Sequence, residues 1–152
     1  MDNVLEKALE FKKKYPLTIA WRLKHHSKVI NKHLTEDEEI IFVFAGQKSW
    51  FVGDLFSTYI VVLTNKRILV AEKRLIFGYY FISVTPEMYN DLSVQSGMIW
   101  GKVFIDTIKE NIIINHVDKR SLAEIQNEIS NYMHEEKRQV VKIEKDGYNF
   151  WL

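Results

Sequence analysis

Between residues 38 and 116 the apolar residues fall into short runs rich in β-branched and aromatic side chains, and this restricts the fold more than any other feature. The runs are Glu39–Ala45, Phe56–Leu63, Arg67–Glu72, Tyr79–Val84, Asp91–Gln95, Met98–Thr107 and Asn111–Asn115. Turn formers separate them: Gly46, Thr64-Asn65-Lys66, Gly78, Pro86, Ser96-Gly97 and Lys109-Glu110. Seven short strands at close spacing predict an antiparallel barrel or sandwich.

The flanks have the helical period instead. Val4, Leu5, Ala8, Leu9 and Lys12 follow i, i+4 spacing, and Tyr15-Pro16 interrupts them. Proline suits the first turn of a new helix, so a second helix is expected from there, carrying Ile19, Leu23, His26, Ile30 and Leu34 on one face. Residues 1–34 thus read as a helical hairpin. After the strands, Ser121-Leu122-Ala123-Glu124 has the form of a capping box, and Leu122, Ile125, Ile129, Tyr132 and Met133 share the face that would pack on the sheet. Residues 139–152 read as a separate aromatic tail with Asp146-Gly147 as a hairpin turn.

Three strings along this order resemble the bacterial pleckstrin-homology-like (PH-like) domains, in particular their YokE-like branch. They are Leu34-Thr35-Glu36-Asp37-Glu38-Glu39-Ile40, Leu63-Thr64-Asn65-Lys66-Arg67-Ile68-Leu69 and Gly97-Met98-Ile99-Trp100-Gly101-Lys102. The resemblance covers residues 35–134. It implies an α+β, mainly β, fold: a seven-stranded antiparallel bent barrel with a C-terminal helix plugging one end, preceded here by the helical hairpin. It also implies a binding module, often oligomeric, and not an enzyme. Eukaryotic relatives that hold phosphoinositides carry several basic residues around the first hairpin. The matching loop here, Gln47 to Asp54, has only Lys48 against Asp54, a departure that argues against a phosphoinositide headgroup site.

The residues themselves supply no reaction. Without cysteine there are no disulfides, thiolate zinc sites or thiol catalysis. His25, His26, His33, His116 and His134 contain no i, i+3 or i, i+4 pair, so no helical metal site is expected. Asp106 and Glu110 read as ordinary turn residues. No phosphate-binding glycine loop or nucleophile elbow occurs, and no cofactor is expected. A net charge of +1 gives no long-range pull on nucleic acid, and the lack of a leader or a long apolar run predicts a cytoplasmic chain, with the inner membrane face as the alternative place.

Charge placement is the strongest functional signal. From Phe11 to Leu34 there is no acid, while Lys12, Lys13, Lys14, Arg22, Lys24, Lys28 and Lys32 are basic. On a helical projection Lys24, Lys28 and Lys32 line one face with Trp21 among them, the composition of an interfacial helix. Each lysine near an anionic bilayer contributes roughly 1 kcal/mol, so a monomer would bind weakly and an oligomer firmly. Trp50 and Phe51 in the first hairpin loop, and Tyr148, Phe150 and Trp151 in the tail, are candidate contacts for a protein partner or a second copy. Self-association or protein binding through these aromatics is the first functional expectation. Contact of Trp21, Lys24, Lys28 and Lys32 with anionic lipid is the alternative.

Overall fold

The computed structural model describes residues 2–49 and 57–151, with side chains up to residue 147. Two helices, α1 (Asn3–Lys14) and α2 (Leu23–His33), precede seven strands. These are β1 (Ile40–Gln47), β2 (Thr58–Thr64), β3 (Ile68–Lys73), β4 (Tyr79–Val84), β5 (Tyr89–Ser96), β6 (Trp100–Thr107) and β7 (Asn111–Asp118). A 3₁₀ turn, Lys119–Ser121, leads into α3 (Leu122–Trp151). Every strand pairing is antiparallel. The order β4-β3-β2-β1-β7-β6-β5 leaves β4 and β5 at the edges of a half-barrel. Its two halves meet where Gln47 pairs with Asn115.

The alternation of each strand explains two cores. Tyr59, Val61 and Leu63 of β2 point inward with Phe44, Ile68, Val70 and Tyr89, and the α3 residues Leu122, Ile125, Ile129 and Met133 close over them. Ile60 and Val62 point the other way, with Val43, Ala45, Leu69 and Ala71, against Val4, Ala8, Leu23, Val29 and Ile30 of α1 and α2. Every residue of β2 is therefore buried, and its near-continuous apolar run is that of a strand covered on both faces. Each large apolar side chain in this outer core contributes about 1.5–3 kcal/mol, so the N-terminal helices are integral to the barrel. Asn31 donates to Asp2 (2.8 Å), tying the end of α2 to the start of α1 in an antiparallel pair.

Three local expectations need correction. The second helix begins at Leu23 rather than after Pro16. The connecting segment is bound to strands instead: Ile19 N donates to His116 O (2.9 Å), Trp21 N to Thr58 Oγ1 (3.0 Å), and Thr18 Oγ1 accepts from Asp118 N (2.9 Å). Those bonds hold residues 17–21 out of helical geometry, and Arg22 starts the helix from a left-handed backbone (φ 55). The capping box does not form either. Asp118 caps the 3₁₀ turn through Arg120 N, Ser121 Oγ donates to Asp118 O, and Glu124 reaches across to Lys14 and the Tyr15 hydroxyl. Finally, residues 139–151 are not a hairpin. They continue α3, whose i→i+4 ladder carries straight through Asp146-Gly147.

Candidate interaction surface

Two of the three strings that mark the barrel are bonded to each other. Glu38 is enclosed, accepting from Arg67 Nη2 (2.7 Å) and Nε (3.2 Å) and from Thr64 Oγ1 (2.7 Å). Burial alone would push its carboxyl up, but the bonds from Arg67 and Thr64 outweigh this and hold it down at about 2. Arg67 also donates to His33 O and Ser83 Oγ, while Asn65 exchanges bonds with the Glu39 backbone. Tyr132 of α3 donates to Asn65 O (3.0 Å). The third string is equally structural. Trp100 Nε1 donates to Leu17 O (2.7 Å), and a Cβ on Gly101 would lie 2.4 Å from a Leu122 methyl, so only glycine lets α3 start so close to β6. These bonds build the fold, and the third string also lines an open cleft of about 350 Å³ with Asn115 and His116.

The concave spaces offer little. A cleft of about 200 Å³ between α1, β1 and α3 is lined by Lys7, Glu10, Phe11 and Phe42 and by Lys14, Tyr15 and Glu124, the last three bonded to one another. The histidines are dispersed. His33 stacks on Phe81 (3.9 Å), His116 meets Trp100 edge-on, and His134 lies 3.6 Å from Asp91. Among the described residues no group of three His, Cys, Asp or Glu side chains could hold a metal.

The convex surface is different. Lys24, Lys28 and Lys32 are all exposed on the outer face of α2, and none is ion-paired among the described residues. Trp21 is also exposed, but it precedes the helix rather than lying on it, and Lys12 Nζ sits 5.5 Å from its ring centroid. Trp50 and Phe51 lie outside the described residues, as do the side chains of Tyr148, Phe150 and Trp151.

Beside α2 the structure places a feature that the strand-by-strand reading passed over. The β3–β4 connection, Arg74-Leu75-Ile76-Phe77-Gly78, closes with Arg74 N donating to Gly78 O (3.1 Å), and Gly78 takes φ 72. Leu75, Ile76 and Phe77 are 61%, 76% and 83% exposed. A turn between strands normally carries polar residues, so three large apolar ones in succession were the available signal. The base of this hairpin is fastened to α2. His26 Nδ1 accepts from Lys73 N (2.7 Å), and Arg22 Nη1 donates to Lys73 O (3.0 Å). His26 is fully buried, and that burial, with Arg22 nearby, lowers its pKa to about 4, so the ring is neutral and its Nδ1 stays an acceptor. Lys32 Nζ lies 5.3 Å from the ring centroid of Tyr79, the first residue of β4.

Residues 34–131 match the family model for the bacterial PH domain. The chain belongs to the bacterial PH domain family. A similar solved structure is the pleckstrin homology domain from Shewanella amazonensis SB2B, at 14% identity and a TM-score of 0.48, covering 70% of this chain and 84% of that one. A search of curated proteins returned no match. PH domains are commonly interaction modules and as a rule non-catalytic. The matched span excludes α1 and α2, so the basic face of α2 lies outside it. No helix of the described residues is long and apolar enough to cross a membrane.

Proposed function

We propose that this PH domain is a non-catalytic module that docks peripherally on anionic membrane surfaces through the basic face of α2. One observation carries the reading: Lys24, Lys28 and Lys32 stand exposed and without ion-pair partners on one face of a helix that the barrel holds rigidly from behind. Unpaired ammonium groups on a flat face gain from a negative surface potential at roughly 1 kcal/mol each, and they lose that gain as salt screens it. Exposed Trp21, with Lys12 over its ring, adds an amphipathic side chain suited to the headgroup layer.

Flotation with vesicles containing about one-third phosphatidylglycerol tests this. Binding is expected at low salt and should weaken steeply toward physiological ionic strength. Lys24→Glu/Lys28→Glu/Lys32→Glu should abolish it. Binding that survives the charge reversal, or no binding at low salt, refutes the proposal.

Self-association has one observation of its own. Beyond Lys137, whose Nζ donates to Tyr89 O (2.6 Å), α3 runs past the barrel with Val141 and Ile143 exposed. Light scattering on the full chain and on a chain ending at residue 138 separates the readings, since the membrane reading predicts no change in the number of chains per particle.

A further inference from the structure

We infer that the β3–β4 hairpin tip, Leu75-Ile76-Phe77, is an apolar wedge that enters the acyl boundary of an anionic bilayer while the α2 lysines hold the headgroups beside it. The inference rests on the membrane reading above and adds a second, non-electrostatic contact to it.

Three independent features converge on this tip. It is the most exposed run of large apolar side chains among the described residues, and it sits at a convex turn rather than in a groove. A protruding turn presents side chains outward in all directions, which suits a deformable lipid interface better than a shaped protein pocket. Its surroundings are cationic: Lys73 and Arg74 precede it directly, and Lys32 reaches Tyr79 on its far side. Neither Lys73 nor Arg74 is ion-paired to a carboxylate among the described residues. Lys73 Nζ donates back to Gly78 O (3.2 Å) at the base of the turn, and an apolar projection flanked by cations without carboxylate partners complements a surface that is anionic outside and hydrocarbon beneath.

The mounting supports the same conclusion. His26 and Arg22 grip both the N–H and the carbonyl of Lys73, so the hairpin base and α2 are one rigid piece. Lysines anchored in the headgroup plane would therefore fix the angle at which the tip meets the bilayer. Trp21, adjacent to Arg22 and bonded through its backbone to Thr58, lies at the root of the same hairpin. Such a wedge adds an apolar contribution that salt does not screen, but only once the lysines have drawn the protein to the surface, so the binding as a whole stays dependent on charge.

The absence of native cysteine allows a clean test on the full chain. Ile76→Cys carries an environment-sensitive fluorophore, and Gln126→Cys on the exposed side of α3 serves as the remote control. With vesicles containing phosphatidylglycerol, the label at 76 should shift to the blue and be quenched by brominated acyl chains, while the label at 126 should not respond. Leu75→Ser/Ile76→Ser/Phe77→Ser should lower vesicle partitioning at least tenfold and leave the remainder wholly salt-sensitive.

A protein that floats while the label at 76 stays water-like refutes the wedge and leaves the α2 reading standing. A protein that does not float at all refutes both. A triple serine variant that changes mass in solution without vesicles shows that the tip serves a second copy, and the wedge is then wrong.

Discussion

The first half of the barrel has two hairpins that differ sharply. The β2–β3 turn is tied on every side: Glu38, Thr64 and Arg67 form a closed network, Asn65 is bonded to Glu39, and Tyr132 of α3 reaches over it. The β3–β4 turn, at the opposite end of β3, is fastened only at its base and then projects three large apolar residues into solvent. One strand thus connects a turn optimised for folding with a turn that folding does not need. Where polar groups are satisfied and apolar groups enclosed, the sequence answers to stability. Where apolar groups are left bare at the cost of solubility, another demand is indicated.

That contrast can be broken by substitution. Arg67→Met leaves the enclosed Glu38 carboxylate without its charge partner, and should destabilise the fold by about 3–5 kcal/mol in urea denaturation. A loss below ~1 kcal/mol would mean that the tied hairpin is not what holds this end of the sheet.

Acid should act on the same network, and on the mount of the bare hairpin. Glu38 is held at about 2 against an ordinary 4.5, and His26 at about 4 against 6.5. In both windows the unfolded chain binds more protons than the folded one, so stability falls as pH falls. The His26 contribution is present above 6.5 and lost toward 4; the Glu38 contribution is present above 4.5 and lost toward 2. Each amounts to about 3 kcal/mol. Denaturant midpoints measured from pH 7 to 3 should decline throughout, and Glu38→Gln should flatten the lower part of the curve. A flat wild-type profile would contradict the burial of His26 and the Arg67 and Thr64 bonds to Glu38.

The smallest effect is expected at the bare turn. Leu75→Ser/Ile76→Ser/Phe77→Ser should move folding stability by no more than about 0.5 kcal/mol, because those side chains have no packing to lose. A cost of ~2 kcal/mol or more would reveal contacts that make this hairpin structural like its neighbour.

The strands and the packing face of α3 could be read from the chain because each satisfies a local period and a tertiary demand together. Tyr59 to Leu63 and Leu122 to Met133 are such segments. The misreadings occurred where a local signal met a stronger distant partner. Pro16 could open a helix, but bonds to His116, Asp118 and Thr58 keep residues 17–21 out of helical geometry. Ser121 and Glu124 have the spacing of a cap, yet Glu124 finds a lysine and a tyrosine on α1. Asp146-Gly147 signals a turn, but among the described residues no strand pairs with this segment to reward one, and the helix continues. On α2, the lysines were legible as one basic face, and all three are exposed. The Leu75-Ile76-Phe77 tip was not, because an apolar run beside strands resembles more strand until the pairing of Lys73 with Tyr79 fixes it as the turn.

The doubly covered β2 strand has a practical consequence for anyone dividing this chain. The family pattern begins at residue 34, but the stable unit does not. Cutting there would strip the cover from Ile60, Val62, Leu69 and Ala71 and turn the back of the barrel into a sticky sheet. A fragment bounded by homology should precipitate or recruit chaperones, whereas one bounded by packing should stay in solution. In this protein the inherited module and the smallest self-sufficient piece are different lengths of chain.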